Sequence, residues 1–140
     1  MLYLASDLPI PPRAASEICI EQLDPEQAVV HTWFSLPEIR YVGAHTGCSC
    51  GFPSVVSDEP VQYYEGLFED TEDRAKDLAS VRALFRVLDE VLDRSAAVES
   101  LPVWVGDEAD PPIGVLEIAR GQLNPETFFF TEHFLYRVTA

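Results

Sequence analysis

The residues able to do chemistry crowd into one stretch. Tyr41-Val42-Gly43-Ala44-His45-Thr46-Gly47-Cys48-Ser49-Cys50-Gly51-Phe52 holds three of the chain's seven glycines, two of its three cysteines and one of its three histidines. Three chemistries suit these residue types. His45-x2-Cys48-x-Cys50 offers an imidazole and two thiolates, donors that fit zinc, but a structural site needs a fourth ligand. That ligand would come from Cys19, His31, His133 or a distant carboxylate, and the paired C-x2-C signature is absent. Cys48 and Cys50 could instead cycle between dithiol and disulfide. A single intervening residue makes a small, strained ring of the labile, oxidising kind. No Lys or Arg lies nearby in sequence to lower a thiol pKa, which leaves a protonated His45 or aligned backbone N–H groups. Third, Gly47-Cys48-Ser49-Cys50-Gly51 matches G-x-S-x-G, with Ser49 as nucleophile and Asp107 or Asp110 followed by His133 in the matching chain order. That motif works only on a strand, sharp turn and helix within a large parallel sheet; Phe52-Pro53-Ser54 and its followers lack helical periodicity.

The glycines offer a simpler account. Ile39, Tyr41 and Val42 end a strand, and Gly43, Gly47 and Gly51 then arrive at a spacing of four. Glycine reaches positive φ at little steric cost, so this spacing predicts a chain that reverses sharply or lies against another backbone, with small thiols filling the corner. His45, Cys48, Ser49 and Cys50 form the candidate functional turn. No catalytic residue is assigned, and a metal is expected only on the alternative in which His45, Cys48 and Cys50 bind zinc.

The same twelve residues resemble a motif of small bacterial proteins that reads approximately VGSH-x-GC-x-CGF, with Ala44 where that motif carries serine. The likeness extends to Leu2-Tyr3-Leu4-Ala5-Ser6 and to Trp104-Val105-Gly106-Asp107-Glu108. It implies a bacterial cytoplasmic protein and assigns no activity.

Positioning this stretch takes one domain of 140 residues, in which hydrophobic residues at 47%, including two Trp, eight Phe and five Tyr, can build a core. The net charge of −15 repels nucleic acid and anionic membrane surfaces over a Debye length of ~8 Å, and favours basic partners. Five of the nine basic residues, Arg74, Lys76, Arg82, Arg86 and Arg94, fall in one segment, so the remainder is more acidic still. Three cysteines are not a secreted disulfide framework, and reduced thiols are expected. The N-terminal residues have no basic segment leading into an apolar run, and no stretch approaches the roughly 18 apolar residues of a membrane span, so the expected location is the cytoplasm.

Leu2-Tyr3-Leu4-Ala5 reads as a strand stopped by Pro9, Pro11 and Pro12, and Glu17-Ile18-Cys19-Ile20-Glu21 alternates with Ile18 and Ile20 on one face. Asp24-Pro25-Glu26-Gln27 has the cap and first turn of a short helix ending near Phe34. Phe52 to Gly66 reads as a loop packed by Tyr63 and Tyr64. From Thr71 to about Arg94 an apolar stripe of Leu78, Val81, Phe85, Leu88 and Leu92, widened by Leu84 and Val91, predicts a long helix whose N-terminus Glu69, Asp70, Glu72 and Asp73 favour. Leu101 to Val105 supplies a strand; Gly114 to Arg120 suits strand or short helix. Phe128, Phe130, Phe134, Tyr136 and Val138 share one face of a last strand, with Leu135 and Arg137 on the other.

The expected fold is α+β: a largely antiparallel sheet of five or six strands, covered on one face by the long helix and the shorter one, with hairpin pairing after Leu101. The expected function is a non-enzymatic acidic binding protein whose partner is unknown, a basic protein being the candidate the charge suggests. The rival is a small metal- or thiol-dependent protein built on His45, Cys48 and Cys50.

Overall fold

The computed structural model describes residues 1–56 and 71–140. Its elements in chain order are β1 (Leu2–Ser6), β2 (Arg13–Ala14), β3 (Ile18–Gln22), a 3-10 turn (Gln27–Thr32), β4 (Glu38–Ala44), a second 3-10 turn (Ser49–Gly51) and β5 (Val55–Val56). There follow the helix α1 (Thr71–Leu92), β6 (Ala97–Pro102), β7 (Gly114–Ala119), a third 3-10 turn (Arg120–Gln122), β8 (Phe130–Thr131) and β9 (Phe134–Thr139). Seven strands form one sheet in the order β2-β3-β4-β1-β6-β9-β7, and β5 pairs with β8 in a separate ribbon. Every neighbour in the large sheet is antiparallel except β7 and β9, which run parallel.

β1 lies at the centre, flanked by β4 and β6, and all five of its residues are buried. A central strand covered on both faces has no solvent side, which is why Leu2 to Ala5 are all apolar or aromatic, and the one polar residue, Ser6, bonds to Ser95 Oγ at 3.0 Å. Leu2 and Leu4 join Ile18, Ile20, Val42, Ala44, Val98, Tyr136 and Val138 beneath Val81, Leu84, Phe85, Leu88, Val91 and Leu92 of α1. The periodic stripe of the sequence is therefore the buried face of the helix, and truncating one such leucine to alanine costs about 2–5 kcal/mol. Tyr3 and Ala5 point the other way, with Ile39, Tyr41, Leu101, Val103 and Leu135, onto Val30, Trp33, Phe34 and Leu36.

The segment expected to be a second helix on α1's face thus sits on the opposite face, as a 3-10 turn. Asp24 and Gln27 do cap each other, Gln27 N–H to Asp24 Oδ1 at 2.8 Å and Asp24 N–H to Gln27 Oε1 at 3.0 Å. Only Val30 of the turn is buried, so no apolar stripe with the α-helical period exists to propagate it. The sheet has seven strands instead of five or six, because Arg13–Ala14 pairs with β3 and Gly114–Ala119 settles as a strand.

One boundary and one pairing differ from the expectation for the chain after Leu101. β6 starts at Ala97, earlier than Leu101, with polar Glu99 and Ser100 buried in its middle, while Trp104 and Val105 leave the sheet exposed. β7 does not fold back on β6; β9 takes that place, and β7 adds to the far side of β9. Phe128, Phe130, Phe134, Tyr136 and Val138, expected on one face of a single strand, all pack into the α1 core, but a turn at Glu132-His133 divides the run into β8 and β9, with His133 at φ 68°. Residues 57–70, with Tyr63, Tyr64, Glu69 and Asp70, lie outside the described residues. No helix among the described residues is long and apolar enough to cross a membrane.

Candidate functional site

Each glycine of the corner has its own steric reason. β4 ends at Ala44, where Gly47 N–H donates to Ala44 O at 2.9 Å and Ala44 N–H to Cys48 O at 3.1 Å. Gly47 makes this reversal at φ 79°, the left-handed region that side chains with a Cβ rarely enter. A Cβ on Gly43 would stand 2.5 Å from the Gly47 carbonyl oxygen and 2.7 Å from Cys19 Sγ; one on Gly51 would stand 2.8 Å from Ala44 Cβ.

Ser49 is the brace of this corner. Its buried hydroxyl accepts from Leu2 N–H at 2.8 Å and donates to Val42 O at 2.7 Å, joining the 3-10 turn to β1 and β4. The G-x-S-x-G arrangement is thus only formal: Ser49 sits on a three-residue 3-10 turn, its proton is committed to a backbone carbonyl, and an antiparallel sheet replaces the parallel one the motif requires. His133 and Asp107 do approach, at 3.7 Å, but neither is a partner of Ser49.

The structure separates His45 from the cysteines. His45 turns toward α1, its N–H donating to Ser80 Oγ at 3.0 Å and its Nε2 lying 2.7 Å from Asp77 Oδ1. The sulfur side of the corner faces Tyr41, whose core lies across the sheet from α1. Tyr41 donates to the Gly47 carbonyl at 2.9 Å, and Cys19 Sγ lies 4.0 Å from the same oxygen. Burial raises the Tyr41 hydroxyl pKa, and Cys48 is close enough to add to it. Cys19, Cys48 and Cys50 are free thiols. Cys48 Sγ accepts the Cys50 N–H at 3.2 Å, capping the 3-10 turn. Burial, then Cys48 itself, pushes the Cys50 thiol up, and burial does the same for Cys19, the opposite of what a nucleophilic thiolate needs. Among the described residues no group of three or more His, Cys, Asp or Glu side chains is placed to hold one ion.

His45 also lines a groove of roughly 440 Å³ with, among the described residues, Ser16, Glu17, Lys76 and Ala79. An imidazole oriented by a carboxylate can move protons. Here the polar groups are spent on one another: Ser16 donates to Glu17 at 2.6 Å, and Arg86 lies 3.8 Å from Glu17. The His45–Asp77 pair is a clamp that fixes the corner to α1.

Two features outside the corner carry more. On β6, Glu99 is fully buried and accepts from Ser35 N–H (2.9 Å), Ser35 Oγ (2.5 Å), Leu36 N–H (3.2 Å) and Arg137 Nε and Nη2 (3.1 and 2.8 Å). Burial opposes its ionisation, but the hydrogen bonds from Ser35 and Arg137 prevail and hold the carboxyl below its usual pKa. In register, Glu99 stands opposite Arg137, and Arg137 opposite Glu117 of β7. A row of alternating charge, negative, positive, negative, therefore crosses β6, β9 and β7 on one face, with Arg137 Nη1 3.3 Å from Glu117. The only trace of Glu99 in the sequence is an acid inside the apolar run Val98-Glu99-Ser100-Leu101.

The second feature is the outer edge of β7, which has no neighbouring strand among the described residues. Ile113 just before it is 71% exposed, and Val115 and Leu116 within it are 53% and 40% exposed. Trp104 and Val105 stand exposed in the loop that leads to it. Compared with protein-family models, curated proteins and solved structures, the chain matches none.

Proposed function

We propose that this is a non-enzymatic, acidic interaction protein that takes up an extended segment of a basic partner protein along β7. The observation that carries this reading is a six-residue strand with no neighbouring strand on its outer side among the described residues, whose exposed side chains are largely apolar. Every second residue of an edge strand leaves its N–H and C=O without a ladder partner, and edges of this length are ordinarily blunted by proline, charge or a covering element. Left open on an acidic protein, such an edge suits strand addition, in which main-chain hydrogen bonds supply affinity and alternate side chains supply selectivity. The net charge of −15, with Asp107, Glu108 and Asp110 in the loop before β7, favours a cationic partner and disfavours nucleic acid.

Titrating isotope-labelled protein with an extended peptide alternating valine and lysine tests this. Amide shifts should concentrate in residues 113–119 and fade as salt is raised. Leu116→Lys, which puts a charge on the edge, should weaken binding at least about tenfold while leaving stability within about 0.5 kcal/mol. Shifts spread over other surfaces, or affinity indifferent to salt, would count against the proposal.

A further inference from the structure

The charge row across the sheet is unfinished. Glu99 and Arg137 are opposite each other, as are Arg137 and Glu117, and Glu117 then faces outward at the edge with its side chain 68% exposed. Directly opposed unlike charges on neighbouring strands stabilise a sheet, and like charges destabilise it. The next position in the row belongs to whatever strand docks on β7, and it calls for a cation. Arg137 does not remove that demand, because it spends two of its nitrogens on the buried Glu99 and only Nη1 on Glu117.

The neighbouring rows are apolar. Val115 shares its row with Leu135 on the same face as Glu117, and Leu116 and Ile118 share theirs with Tyr136 and Val138 on the α1 face. We infer, on the footing of the strand-addition reading above, that β7 selects an antiparallel partner strand reading apolar, Lys or Arg, apolar, apolar. Its members lie opposite Ile118, Glu117, Leu116 and Val115 in turn. Antiparallel pairing is the better bonded of the two directions.

A second copy of the chain does not meet this demand. β7 contains no Lys or Arg, so self-pairing sets Glu117 against another β7 residue that is apolar or is itself Glu117. Arg120, just beyond the strand, is already held by Asp89 and Asp93 at 2.9 and 2.8 Å. Two copies would also bring together net charges of −15 each. The occupant is therefore a basic, extended segment of a different protein.

Two synthetic hexapeptides, Thr-Val-Lys-Val-Val-Thr and Thr-Val-Glu-Val-Val-Thr, titrated into labelled protein and followed at residues 113–119, provide the test. The intact protein should prefer the lysine peptide by about tenfold, the sum of one opposed pair gained and one like pair avoided. At a salt concentration high enough to screen the net charge, Glu117→Lys should reverse the preference and Glu117→Gln should erase it, with both variants keeping the dispersed spectrum of the folded chain. If both peptides shift β7 equally, the charge rule is wrong and strand addition stands. If neither peptide shifts β7, both fall. Shifts of β7 that grow with protein concentration and are untouched by peptide would give the edge to a second copy and overturn the inference.

Discussion

The two ends of the large sheet are built in opposite ways. At one end β2 is two residues long, follows Pro11 and Pro12, and carries Arg13 in an ion pair with Glu90 of α1. At the other, β7 follows Pro111 and Pro112 but runs for six residues, with Glu117 as its one charge and Val115 and Leu116 open to solvent. Short length, proline and a tethered cation are the means by which sheets avoid unwanted pairing. Both edges follow a pair of prolines, but the short length and the tethered cation are found only at β2. This contrast favours β7 over β2 as the place of the proposed interaction.

The largest effect should come from removing the anchor beneath the open end. Glu99→Ala leaves Ser35 and Arg137 without their buried acceptor and should cost about 3 kcal/mol in urea denaturation. This is the low end for a broken buried pair, because the Arg137 side chain is 33% exposed. Hydrogen exchange should quicken first in β9 and β7 while β3 and β4 hold their protection. Uniform loss across the sheet would mean that the two ends are not independent.

The same carboxylate makes a pH prediction. Because its pKa in the folded state lies below the ordinary value of 4.5, Glu99 contributes stability that is fully present above that value and is lost as pH falls through the folded pKa. Unfolding free energy should therefore drop more steeply below about pH 4.5 in the wild type than in Glu99→Gln. Equal slopes would remove Glu99 as a source of acid sensitivity.

The smallest effect belongs to the protected end. Arg13→Ala breaks a partly exposed ion pair and should change stability by about 0.5 kcal/mol or less. It should not create peptide binding at β2, because two residues and two prolines still block the edge. Peptide-induced shifts at residues 13–22 in that variant would show that Arg13 alone had been guarding it.

At the corner, the sequence anticipated more about the backbone than about the chemistry. The crowding of Gly43, Gly47 and Gly51 announced a reversal that only small residues could make, and the Cβ contacts bear this out. The three candidate ligands His45, Cys48 and Cys50 were equally visible, yet proximity along the chain said nothing about direction. His45 pairs with Asp77 on α1 while Cys48 lies toward Tyr41. Ser49 looked reactive and proved to be a backbone brace, since hydroxyls bond to the main chain as readily as they attack substrates.

What the sequence determined by itself is whatever a local period can encode. The stripe of α1 repeats every three or four residues, Ile18 and Ile20 alternate with Cys19, and Leu2 to Ala5 is apolar on both faces, so these three elements were legible in type, and α1 and β3 in their buried faces. Only the tertiary structure decided which strands became neighbours. β7 could have folded back on β6, and its placement beyond β9 is what aligned Glu99, Arg137 and Glu117 in one row and left an edge open. Strand pairing joins residues far apart in the chain, and its energy depends on side chains that meet only after the chain has folded.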